Sequence, residues 1–309
     1  MKETNIPWER PAQAAALGLE AERLAAPLPP LLVEAERLSS IVGLGVHGRR
    51  KAGIGETFWQ FRRYVQGDGT NTIDWRQSAK SQHLFVRERE WEAVEAVWFW
   101  CDGSQGMRFA SGKNLPNKYD RANLLALALA SLLIRGGERI ALLGGGRPPA
   151  GGRATLNRMT LTLADNKNND PLPPDAPIGK NAQLIWFGDF LSPVTDIERA
   201  VRKFASAGLS GHLVHIVDPA EQDFPYNGRT RFEWAPSRLN QLLGRAESAR
   251  DEYCRRFRAQ ADSVSALANR FGWSYLAHRT DTRPETALIA LYTTLGGLPA
   301  NNAGVQATA

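Results

Sequence analysis

The sequence predicts an α/β protein built on a doubly wound, mostly parallel sheet, with helical N- and C-terminal extensions. Three observations carry this expectation. Residues 94–101 and 182–188 are nearly continuous apolar runs, the pattern of strands covered on both faces. Segments 118–135, 153–164 and 196–208 have helical periodicity and alternate with such runs. Most connections are short, so right-handed crossovers in one sheet follow.

Taken in order, residues 12–26 and 31–42 read as helices rich in Ala, Leu, Glu and Arg, separated by "PLPP". Residues 43–82 are glycine-rich, basic and aromatic, and read as loops and short extended pieces. "HLFVREREWEAVEAVWFWCD" (83–102) is extended, exposed around Val86–Arg89 and buried from 94 onward. Leu124, Leu125, Leu127, Leu129, Leu132 and Leu133 form a broad apolar face on the helix at 118–135, which Gly136 and Gly137 stop. "ERIALLGGG" is a strand running into a glycine loop. "NKNNDPLPPDAPIGKN" (166–181) is a surface loop. "AQLIWFGDF" is a strand ending on Asp189, "DIERAVRKFASAG" a helix closed by Gly208, and "GHLVHIVDP" a strand. Residues 237–272 read as one long charged helix. "WSYLAHRT" adds a last strand and "RPETALIALYTTLGG" a closing helix. Four segments follow: 1–42, 43–92, the α/β core at 93–235, and a helical part at 236–309 packing on that core.

The 309 residues are 43% hydrophobic with a net charge of +6, ample for a core without disulfides. Cys101 and Cys254 stand far apart, with no Cys/His cluster of zinc spacing. No signal-peptide pattern and no membrane-length apolar run occurs, so a cytoplasmic protein without a span is expected.

Ligands of open parallel sheets bind outside the carboxyl ends of the strands. Two strands end alike there: "VWFWCD" delivers Asp102, and "LIWFGD" delivers Asp189. With the Ser104 hydroxyl beside them, such hard oxygen groups suit magnesium or manganese. The alternative is that each aspartate caps the helix that follows. As an enzyme, such a site would be a metal-dependent phosphoesterase, but no base stands near in sequence. The basic segment 47–80 offers a third possibility, binding of nucleic acid or another anion. Its acids Glu56, Asp68 and Asp74 are interleaved with Arg62, Arg63, Arg76 and Lys80, which favours an internal network instead. "GLGVHG", at Gly43, Gly45 and Gly48, lacks the strand before and helix after that a dinucleotide loop needs. His212 and His215, three apart on a strand, point to opposite faces.

"DGSQGM" resembles the D-x-S-x-S-M loop of von Willebrand factor type A domains, and "GDF" their later strand-end aspartate. The segment 48–92 is similar to the hallmark block of the bacterial domain-of-unknown-function 58 family. Its matches are Gly53, Gly55, Glu56, Phe58, Arg63, Tyr64, Gly67, Asp68, Ile73, Asp74, Trp75, Ser78, Ala79 and Lys80. The resemblance implies a von Willebrand factor A-like core with metal ligands Asp102, Ser104 and Asp189, and Thr155 as positional candidate for the middle-loop threonine. Gly106 replaces a serine ligand. The resemblance further implies a non-enzymatic adaptor acting with a MoxR-type AAA+ ATPase and client proteins, docking a partner's acidic side chain on the ion.

Overall fold

The computed structural model describes residues 9–28, 52–63, 75–80, 84–90, 96–165, 168–179, 182–234 and 239–295. It divides into two compact units, Met1–Glu34 with Glu95–Ala309, and Ala35–Val94. Helix α1 (Glu9–Ala25) belongs to the larger unit. The expected helix at 31–42 and the "GLGVHG" turn lie outside the described residues.

The smaller unit contains strand β1 (Ala52–Arg63), a single helical turn α2 (Trp75–Ser78) and strand β2 (Phe85–Glu90). β1 and β2 pair antiparallel, from Ala52 opposite Glu90 to Arg63 opposite Phe85. At 52–63 one long strand stands where the sequence predicts loops and short extended pieces; residues 43–51, 64–74 and 81–82 lie outside the described residues. The register shifts between Gly53 and Phe58 and again before Gln60, so an irregular strand hides its period of two. The Phe85 N–H donates to the Ser78 hydroxyl at 2.8 Å, tying α2 to the start of β2.

The larger unit continues, in order, with β3 (Ala96–Cys101), α3 (Lys118–Gly136), β4 (Arg139–Leu142), α4 (Arg153–Asp165) and β5 (Gln183–Gly188). Next come α5 (Val194–Ser206), β6 (Ser210–Val217), the short α6 (Pro219–Asp223) and a hairpin of β7 (Thr230–Trp234) and β8 (Leu239–Leu243). Helix α7 (Arg250–Arg270), β9 (Ser274–Arg279) and α8 (Pro284–Leu295) complete it. Five strands form one parallel sheet in the order β4-β3-β5-β6-β9. The α/β class and the parallel sheet are as the sequence predicts.

Alternation along the strands sorts the two faces. Val97, Phe99, Cys101, Ile185, Phe187, Val214 and Ile216 pack under α1, α3, α4 and α8. Trp98, Trp100, Leu184, Trp186 and Leu213 pack under α5 and α7. Each such large side chain contributes about 1.5–3 kcal/mol on burial. α3 is buried at every position from Leu124 to Leu133, beyond the one broad face expected. A helix apolar all round belongs inside, and α1 packs in the same core cluster. Arg135 donates to the Ala25 and Leu28 carbonyls at 3.0 and 2.9 Å, satisfying acceptors at the end of α1. Gly137, with φ of 93°, closes α3 in the left-handed region.

The helix expected at 237–272 is two things: β8, then α7 from Arg250. Leu239, Leu242 and Leu243 have helical spacing, but this segment finds a ladder against Thr230–Trp234. Cross-strand pairing overrides helical periodicity here.

Candidate functional site

β3 sits between β4 and β5, so the chain leaves it in one direction and later resumes on its other side. That reversal opens a crevice at the carboxyl ends of β3 and β5. The register pairs Cys101 with Phe187, and the Asp102 N–H donates to the Phe187 carbonyl at 2.9 Å. Asp102 and Asp189 therefore leave adjacent strands side by side, 1% and 5% exposed.

Backbone donors hold both carboxylates. Asp102 Oδ1 accepts from the Ser104 N–H at 2.8 Å, and its carboxylate also accepts from the Ser104 hydroxyl and the Asp189 N–H. Burial, and then the like charge of Asp189, push Asp102 up to about 7. Asp189 Oδ1 accepts from the Leu191 N–H at 3.1 Å. Phe190 between them takes a φ of 48°, unusual for a non-glycine residue. Its ring is held between Trp186 at 5.3 Å and His215 at 5.7 Å. Gln260 of α7 donates to the Phe190 and Ser192 carbonyls at 2.8 and 2.9 Å. Packing from three elements thus fixes the strained turn that aims Asp189.

The first residue of α3 enters this cluster. Lys118 is fully buried, and its Nζ donates to Asp189 Oδ2 at 3.1 Å and Glu221 Oε1 at 2.5 Å. Burial alone would lower the ammonium, but Asp189 and Glu221 outweigh it, and the Lys118 pKa is raised. Glu221 is placed by a capping box at α6: its Oε2 accepts from the Asp218 N–H at 3.1 Å. Asp218 accepts from the Ala220 and Ser111 N–H groups, both at 2.9 Å. The ammonium therefore links the ends of β5 and β6 to the head of α3.

These residues do not fit a divalent ion. A Cβ added at Gly106 would stand 2.6 Å from Asp189 Oδ2, so the carboxylate fills the space of a serine ligand. An ion on that oxygen would lie within about 5 Å of the ammonium, a repulsion of roughly 6 kcal/mol at an effective dielectric near 20. Among the described residues, no three carboxylate, imidazole or thiol side chains converge as a ligand set.

The structure thus joins Asp102, Ser104 and Asp189, as the sequence implies, but not Thr155. That hydroxyl donates to the Gly151 carbonyl at 3.0 Å and accepts from Arg158 at 2.9 Å, at the start of α4. Of the hallmark residues, Gly53, Gly55, Glu56 and Arg63 lie on β1 and Trp75 starts α2. Tyr64, Gly67, Asp68 and Asp74 lie outside the described residues. His212 and His215 pair with Ser274 at 2.7 Å and Tyr275 at 2.6 Å, consecutive residues of β9. Lys118, Asp218 and Glu221 are missing from the sequence reading. Two signals point to them: "DPAE" is a capping box with proline at the first helical position, and a lysine opening a helix opposes the helix dipole.

Residues 60–263 match the family model described as protein of unknown function DUF58. Uncharacterized proteins of Mycobacterium tuberculosis and Mycobacterium bovis are each 25% identical, over 85% of this chain and 87% of theirs. A solved aerotolerance-related membrane protein from Bacteroides fragilis is 14% identical at a TM-score of 0.40, covering 66% of this chain and 99% of that one. A conserved hypothetical protein, BatB, from Bacteroides thetaiotaomicron is 10% identical at a TM-score of 0.36, covering 67% and 98%. Among the described residues, no helix is long and apolar enough to cross a membrane.

Proposed function

The chain belongs to the DUF58 family of proteins of unknown function, and we propose that it is a non-enzymatic adaptor whose partners dock on the carboxyl edge of its sheet. The partners proposed are a MoxR-type AAA+ ATPase and its clients, in the cytoplasm. The observation carrying this reading is the pairing of a closed polar cluster with exposed apolar groups around it. Phe109 and Leu191, each 38% exposed, stand on the two loops that leave β3 and β5. Neither loop is loose. The Phe109 carbonyl accepts from the Lys118 N–H at 3.3 Å, and Leu191 is tied to Asp189. Apolar anchors on rigid loops lose little entropy on binding.

A hydrolytic reading finds less support. Asp102 and Asp189 are occupied by N–H donors, a hydroxyl and the ammonium, which leaves neither poised to activate water. His215 is buried against Tyr275.

The test is co-purification of AAA+ ATPases with tagged protein, comparing wild type with the double variant Phe109→Asp, Leu191→Asp. Recovery of the ATPase by wild type, reduced at least tenfold in the variant, supports the reading. Equal recovery by a folded double variant removes the sheet edge as the docking surface.

A further inference from the structure

Among the described residues, the fully buried side chains are apolar with few exceptions, and Lys118 is the largest charged one. A buried ammonium without a structural or functional task is costly. Its position defines the task. It lies where Asp102 and Asp189 leave adjacent strands, which is where a sheet of this topology receives a ligand.

We infer that Lys118 is the resident cation of the strand-end site, an internal ammonium in the place a divalent ion would need, so that the site works without metal. Three features of the geometry support this. First, Asp189 Oδ2 faces both ways at once: toward Nζ at 3.1 Å, and into the space a side chain at position 106 would fill. Position 106 offers no side-chain oxygen, and the oxygen it exposes is already committed. Second, N–H groups already hold several of the nearby acceptors: Asp102 Oδ1 by Ser104, Asp189 Oδ1 by Leu191, and Asp218 by Ser111 and Ala220. Magnesium requires about six oxygens at roughly 2.0–2.1 Å in octahedral order, and those oxygens point instead at fixed hydrogen donors. Third, the ammonium reaches a second carboxylate, Glu221, on α6 just after β6. It therefore braces three segments, much as a structural ion does, with three donors on one compact charge.

The consequence concerns how partners are recognised. An acidic side chain cannot complete the coordination of a lysine that is 0% exposed. Docking at this edge uses the outer loops, and chelators leave it intact. The bracing by Lys118 is a property of this chain alone, whatever docks at the edge.

Two measurements test it. Manganese titrated into the wild-type protein by calorimetry should give no saturable heat at millimolar metal, and EDTA should leave the thermal midpoint unchanged. Saturable manganese binding that Asp189→Asn abolishes would overturn the inference. Lys118→Met, an unbranched chain one atom shorter that removes the charge, should lower the midpoint by roughly 6–20 °C. A folded Lys118→Met with the wild-type midpoint would also overturn it, because the ammonium would then brace nothing. If that variant does not fold, the manganese titration decides.

Discussion

Restoring a serine at position 106 should damage this protein rather than repair a metal site. The perturbation is Gly106→Ser. The added Cβ would stand 2.6 Å from Asp189 Oδ2, closer than side-chain carbons approach oxygens. A flexible neighbour would swing away, but this carboxylate is held at both oxygens, by Lys118 and by the Leu191 N–H, each at 3.1 Å. If the carboxylate shifts and keeps its ammonium, the cost is that of overpacking, about 1–3 kcal/mol. If the Lys118 pair breaks, the cost rises toward about 3–5 kcal/mol. At roughly 2–4 °C per kcal/mol for a domain of this size, the midpoint should fall by about 2–20 °C. Gly106→Ala is the control. The clash belongs to the Cβ, so alanine should cost as much as serine, and magnesium should rescue neither. Thermal unfolding followed by circular dichroism, with magnesium or with EDTA, reads all four cases. A serine variant as stable as wild type, or one that magnesium alone stabilises, would refute the reasoning.

Three further outcomes follow from buried groups. His278 is 4% exposed; burial, and then Arg121, hold it down at about 4, and burial does the same for His215. The unfolded chain takes up these protons near 6.5, so the two histidines' contribution to stability is complete above that pH and is lost as pH drops toward about 4. The loss should approach about 1.4 kcal/mol per histidine for each unit below 6.5. Urea unfolding at a series of pH values measures it, and His278→Gln should flatten the slope. Cys101 is 3% exposed, and burial with Asp102 nearby pushes its thiol up, so a thiol reagent should modify Cys254 in the native protein and Cys101 only after unfolding. Asp218→Ala removes acceptors for Ser111 and Ala220 and should cost about 2–4 kcal/mol by chemical denaturation.

The central sheet was legible because strands covered on both faces must be apolar throughout, and "VWFWC" and "LIWFG" are. The strand-end acids were legible because parallel topology forces such residues onto one edge. Lys118 was not. It stands sixteen residues beyond Asp102, at the head of a helix whose leucines dominate the pattern, and only the fold returns that head to the end of β5. β8 was hidden because three leucines at helical spacing serve equally well in a strand once a partner is present. β1 was hidden by its register shifts, which dilute the alternation that a regular strand displays.

The ammonium of Lys118 is directly observable by nitrogen-15 NMR of protein labelled at lysine. Held by two carboxylates and shielded from water, its protons should exchange slowly and give a distinct signal at neutral pH. The account predicts that this signal is present in wild type, absent in Lys118→Met and unmoved by millimolar magnesium or by EDTA. A signal that magnesium displaces, or a Lys118 ammonium that exchanges as freely as a surface lysine, would contradict it.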